Sequence, residues 1–153
     1  MSRTYGLKTA PDLLAKLERD AQLLRDEVSS DRFFNFVITA YSLADWIQND
    51  PTVPPSAKTD LQRFRGIIQI QICRDLANAS KHFQLNPKLN PNPEVTAADS
   101  KQGFGAGRFG VGGYGTGEEE ITVVLSADNE ISGVDLIEGT LREWSHFFTI
   151  HRI

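Results

Sequence analysis

The sequence predicts a mainly α fold: a bundle of four to five helices, with a small β-hairpin and a long Gly/Pro-rich loop placed before the last helix. Three observations predict it. Apolar residues recur at intervals of three and four through most of residues 11–83 and again through 132–151, as in helices with one buried stripe. Between those regions the composition changes, with Asn86, Pro87, Asn90, Pro91, Asn92 and Pro93 followed by a 103–117 segment that holds eight of the twelve glycines. One short β-branched run, Glu120 to Leu125, stands apart from both. Residues 1–153 read as a single domain: helical over 11–83, loop over 84–118, hairpin over 119–131 and a final helix over 132–151. A chain of 153 residues is long enough to bury a core without metal or disulfide staples.

Pro11 and Asp12 open the first helix, which runs to about Val28 with Leu13, Leu14, Leu17, Ala21, Leu24 and Val28 on its apolar stripe. Ser29, Ser30 and Asp31 each supply a short acceptor, so one of the three caps the second helix. That helix, Arg32 to about Gln48, carries Phe33, Phe34, Phe36, Val37, Ile38, Tyr41, Leu43, Ala44, Trp46 and Ile47 and leaves almost no solvent face. It must be buried on several sides, by other helices or by a second subunit, and a homodimer formed through it is expected. Asp45 in that setting is costly unless paired. It is read as half of an internal salt bridge first, and as a ligand-binding carboxylate second.

Pro51, Pro54 and Pro55 make a stiff connection. A long central helix then follows, Leu61 to Phe83, around which the chain is organised. Leu61, Phe64, Ile68, Ile72, Leu76, Ala79 and Phe83 form its buried stripe. Beyond the loop, Glu120–Leu125 turns at Ala127–Asn129 and pairs with Glu130 and Ile131 as the hairpin. Ser132 with Asp135 resembles a capping box and opens the last helix through Leu136, Ile137, Leu141, Trp144, Phe147, Phe148 and His151.

Composition narrows the function classes. An apolar share of 40% and a charged share of 24% are those of a soluble globular protein, and no run approaches the roughly eighteen apolar residues of a membrane span. No secretory signal opens the chain, so a cytoplasmic protein is expected. The single cysteine, Cys73, lies within an apolar helix and reads as a structural thiol. A net charge of −4 argues against a general nucleic-acid binder, yet the charge is divided along the chain. From Lys58 to Lys88 six cations face two anions, whereas Glu118 to Glu138 holds seven acids and no Lys or Arg. Either the central helix takes an anionic ligand, or the two segments pack together with matched charge, which is the commoner case.

Gly105, Gly107 and Gly110 fit the dinucleotide fingerprint in spacing but not in context, because a Pro/Asn loop precedes them and a strand follows. Phe104, Arg108, Phe109 and Tyr114 are suited to stacking on RNA bases or, more commonly, to docking on the helices. His146 and His151 are about 140° apart on a helix, so no metal site is expected there, and nothing in the sequence calls for a cofactor.

What remains is a row on the central helix, Arg74, Asn78 and His82, spaced i, i+4, i+8, with Lys81, Arg63 and Asp45 as accessory ligand-binding candidates. A histidine near neutral pKa exchanges a proton with a ribose 2′-hydroxyl while a guanidinium steadies the phosphate, which is RNA cleavage without metal; Asn78 would orient the imidazole. The competing reading pairs Arg74 with Asp45 or Asp75 and sets Lys81 and His82 against the helix's last carbonyls.

The segment Arg74-Asp75-Leu76-Ala77-Asn78-Ala79-Ser80-Lys81-His82 resembles the helical HEPN superfamily, whose members include RNA-cleaving toxins and defence proteins. That resemblance implies a four- or five-helix bundle, frequent dimerisation that joins two Arg/His sets, and metal-independent endoribonuclease activity carried by Arg74 and His82. The interval from Arg74 to His82 is longer than in the RNA-cleaving members and resembles branches with no established activity. Two functions are therefore expected in competition. The first is a non-catalytic binding or interaction module for RNA or an acidic protein partner; the second is the ribonuclease.

Overall fold

The computed structural model describes residues 3–83, 93–101, 119–126 and 128–153, which form five helices and one three-stranded antiparallel sheet. The glycine-rich 103–117 segment and its aromatic residues lie outside the described residues.

Helix α1 spans Ala10–Asp26. Thr9 caps it: the threonine hydroxyl accepts the Asp12 N–H at 3.3 Å, and the Asp12 carboxylate accepts the Thr9 N–H at 3.0 Å. Leu13, Leu17, Ala21 and Leu24 are its buried stripe.

Helix α2 spans Ser30–Asn49, and Ser29 is the cap, its hydroxyl accepting the Arg32 N–H at 3.2 Å. The Glu119 carboxylate adds a second acceptor at this end, from the Ser30 N–H at 2.6 Å, where the helix dipole favours negative charge. α2 contacts the four other helices, and Phe33, Phe36, Val37, Ala40, Leu43, Ala44 and Ile47 are buried within the one chain. The expected all-round apolar helix is corrected: Asp31, Asn35, Asp45 and Gln48 mark a solvent face, with Phe34 exposed beside them. Being the middle of the bundle, α2 finds most of its burial in its own chain.

The expected single helix Leu61–Phe83 is two helices, α3 over Pro55–Phe64 and α4 over Ile68–His82. The Arg65 N–H still reaches four residues back, to Leu61, at 2.9 Å. Gly66 and Ile67 reach only three back, to Arg63 and Phe64, at 3.0 Å each, and Ile67 then turns extended (ψ 134°). Gly66 permits the tightening, since a Cβ there would stand 3.2 Å from the Arg63 carbonyl oxygen. The break seats the Phe64 ring 4.4 Å from Trp144 and 4.7 Å from Phe147, centroid to centroid. Downstream the buried face becomes Ile70, Ile72, Cys73, Leu76 and Ala77, while Ile68 is exposed and Phe83, a left-handed cap at φ 66°, projects into solvent.

The sheet runs β1 (Val95–Lys101), β2 (Glu120–Leu125), β3 (Glu130–Ser132), in that order. The expected hairpin is β2–β3, with Val123 opposite Ile131 and Asp128 turning the chain at φ 58°. β1 is a correction, because it falls inside the stretch read as loop over 84–118. Its sequence VTAADSK has little strand propensity; it is a strand because its backbone pairs with β2, from Val95 opposite Leu125 to Lys101 opposite Glu120. Ile121 and Val123 turn inward, whereas β1 beyond Val95 is exposed.

Helix α5, Gly133–His151, starts from the Ser132 hydroxyl, which accepts the Asp135 N–H at 3.1 Å. At Gly133 the helix start meets β2, and a Cβ there would lie 3.0 Å from the Ile121 Cβ. Leu17, Phe36, Leu43, Ile47, Leu61, Ile72, Leu136, Trp144 and Phe147 meet at the centre. Of the acidic segment, Glu138 pairs not with the central helix but with Arg25 of α1, at 2.7 and 2.8 Å. Among the described residues no helix is long and apolar enough to cross a membrane.

Candidate functional site

Arg74, Asn78 and His82 all lie on α4, but they do not converge. Four residues advance a helix about 6 Å and eight about 12 Å, and the latter also rotate the side chain by about 80°. Arg74 bends onto its sequence neighbour: Nε and a terminal nitrogen donate to Asp75 Oδ1 at 3.0 and 2.9 Å. Asp75 is wholly buried, and its other oxygen, Oδ2, accepts the backbone N–H groups of Glu94 at 2.6 Å and Val95 at 3.2 Å. One carboxylate therefore ties α4 to the start of β1, and the guanidinium beside it supplies the countercharge that a buried carboxylate requires. Asn78 is half-buried, and Lys81 and His82 are exposed at the end of α4, where positive charge offsets the negative end of the helix dipole.

The accessory candidates lie apart from this row. Arg63 holds Asp60 with two bonds, at 2.7 and 3.0 Å, and Asp60 also meets His151 Nε2 at 2.8 Å. The Arg63 guanidinium, with His151 second, holds the Asp60 carboxyl at about 2, well below its usual range. This cluster fastens α3 to the end of α5, and the His151 ring packs against Phe147 with centroids 4.5 Å apart and planes tilted by 53°. His146, by contrast, is exposed, so the two histidines stay separate. Asp45, expected to be buried, is exposed to 71% and reaches Arg65 only at 3.6 Å. Its neighbours Ala44 and Ile47 are buried, but a residue between them in sequence turns to another face.

Cys73 is buried against the Thr140 hydroxyl at 3.4 Å, and burial pushes its thiol up to about 12, as a structural thiol requires. Among the described residues no three His, Cys, Asp or Glu side chains cluster closely enough to hold a metal ion.

Two concave surfaces were not foreseen from sequence. One is a groove of about 180 Å³ between α2, α4, β1 and β2, lined by the apolar Phe33, Phe34, Val37, Leu76 and Ile121 and by one charged side chain, Asp99. The other is an open cavity of about 520 Å³ where the start of α1 meets the end of α2. Neither has a sequence signal, since each is assembled from segments distant in the chain. No family model, characterised protein or solved structure matches the chain.

Proposed function

We propose that the protein is a non-catalytic interaction module, in which the Arg74–Asn78–His82 row belongs to the framework. The observation that carries this reading is Asp75: its buried carboxylate takes up Arg74 and fixes the beginning of β1, so the guanidinium has a structural duty. The binding surface we assign is the groove between α2, α4 and β1. Its apolar floor suits one aliphatic or aromatic anchor, and the charged side chain in its lining, Asp99, lies with Ser30, Ser80 and Ser100 around that floor and favours a cation next to the anchor. The partner is accordingly a protein segment with an apolar residue beside Lys or Arg, rather than the acidic segment expected from the basic central helix. Peptide display on the immobilised protein should return sequences with an apolar residue flanked by Lys or Arg. Equal binding of those peptides to a Phe34→Glu, Asp99→Lys variant that melts normally would overturn the assignment.

The HEPN-type endoribonuclease is the second reading, and one observation favours it: His82 is exposed and Arg74 is 32% exposed, so neither is sealed from a ligand. With about 12 Å between them along the helix, one phosphate would have to be shared across a homodimer. Cleavage of single-stranded RNA in EDTA, lost in His82→Ala with folding intact, would establish this reading. Absence of cleavage together with an Arg74→Ala variant of lowered stability supports the first.

A further inference from the structure

The open cavity at the junction of α1 and α2 combines an aromatic wall with two opposite charges that do not neutralise each other. Lys8, Ala10, Asp45, Trp46, Asn49 and Asp50 line it. Its back is built firmly. Asp50, buried, accepts the Ala10 N–H at 2.7 Å on one oxygen and the Thr52 N–H and hydroxyl at 2.8 and 2.6 Å on the other, which locks the end of α2 to the beginning of α1. Asp50 is therefore wall rather than ligand. Asn49 is also fixed, its side-chain amide donating to the Asp45 carbonyl at 2.8 Å.

Three groups remain for a ligand. The Trp46 indole is packed on the core on one side and lines the cavity on the other. Asp45 is largely exposed, with Arg65 at 3.6 Å as its ion-pair partner, a contact too long for a strong hydrogen bond. Lys8 is exposed, and its ammonium acts on Asp12 at longer range but, among the described residues, comes within 4.0 Å of no carboxylate, Asp45 included. A carboxylate, an ammonium and an aromatic side chain thus line one cavity, and the two charges do not reach each other.

We propose that this cavity binds a small zwitterion, a molecule with an ammonium and a carboxylate separated by an apolar spacer. The ammonium meets Asp45, the carboxylate meets Lys8, and the spacer lies on the Trp46 ring, which also attracts the positive end through its π face. A volume of about 520 Å³ suits a ligand of amino-acid size or somewhat larger. This site is separate from the α2–α4–β1 groove, and it stands or falls independently of the function proposed above.

The chain has two tryptophans, and Trp144 is fully buried, so a ligand-induced change in emission reports Trp46, with Trp46→Phe as the check. The probes are the ω-amino acids from glycine to 6-aminohexanoate, with hexylamine and hexanoate as single-charge controls. The expected result is saturable binding with an optimum at one chain length, about tenfold tighter than either control. Asp45→Asn should reduce the optimal zwitterion to the affinity of the acid alone, and Lys8→Gln to that of the amine alone. Both positions are exposed, so thermal melts should match the parent protein. No saturable change across the series, equal binding of a single-charge control, or full affinity in Asp45→Asn would each overturn the proposal.

Discussion

Replacing Asp75 by alanine removes the acceptor for two backbone N–H groups, Glu94 at 2.6 Å and Val95 at 3.2 Å, and the countercharge of a guanidinium that is two-thirds buried. A hydrogen bond to a charged group is worth about 1.5–3 kcal/mol, and breaking a buried ion pair by deleting one partner costs about 3–5 kcal/mol. These overlap, since the same carboxylate supplies both. Because the two figures describe one carboxylate and Arg74 can turn outward to water, they are not summed, and we expect a loss of about 3–5 kcal/mol. For a domain of this size each kcal/mol lowers Tm by roughly 2–4 °C, so the melt should move by roughly 6–20 °C. Urea unfolding followed by circular dichroism gives the free energy. Amide hydrogen exchange gives the location, since Glu94 and Val95 should lose protection at denaturant levels where α1 and α2 keep theirs. Asp75→Asn, with one acceptor oxygen left, should fall between parent and alanine variant. A loss below 1 kcal/mol, or uniform loss of protection throughout the chain, would refute the view that Asp75 is the fastening of the sheet.

Gly133→Ala should cost about 1–3 kcal/mol in denaturant titration, because its methyl would approach the Ile121 Cβ to 3.0 Å; a neutral result would mean that β2 yields freely. Cys73, with its thiol pushed up to about 12 and wholly buried, should react with a thiol reagent at pH 8 only as fast as the protein unfolds; stoichiometric labelling under native conditions would contradict the packing. Asp60, held at about 2 by Arg63 and then His151, is depressed below its ordinary 3.8, so the stability it contributes is present above pH 4 and lost as the pH falls towards 2. An NMR titration of the Asp60 carboxyl should place the midpoint at about 2, and a midpoint near 3.8 would contradict the Arg63–Asp60–His151 cluster.

The helices were legible because burial of one stripe leaves a period in the sequence, and the hairpin because β-branched residues flank a turn. The Gly66 break was not, since Leu61, Phe64 and Ile68 keep helical spacing across it while the backbone does not. Nor was β1: Thr96, Ala97, Ala98, Asp99 and Ser100 have no strand-like pattern, and pairing with β2 makes them one. The sequence exposed Arg74, Asp75 and His82 as unusual and offered Asp75 as a partner for Arg74, but the amides that complete the carboxylate's shell lie about twenty residues away. Asp45 was misplaced because its apolar neighbours in sequence occupy a different helical face. The pairing of Asp45 with Lys8 and Trp46 around one cavity depends on how α1 meets α2, which no local pattern records.

The salt bridge from Arg25 to Glu138 and the groove shared by Pro11, Leu14, Phe148 and Ile153 put the first helix alongside the last. The first and last helices of the bundle are thereby neighbours, and the order in which the chain visits the helices is separable from the arrangement itself. Joining the end of α5 to the start of α1 by a short linker, and opening the chain at the Arg65–Ile67 turn, would preserve every helix. In such a circular permutant the α1–α5 contact, now the most distant in sequence, becomes one between neighbours, lowering the loop-closure entropy spent before that contact forms. The wild-type chain must bring α1 and α5 together across all the intervening helices to seal the core, whereas the permutant would begin with that seam already stitched.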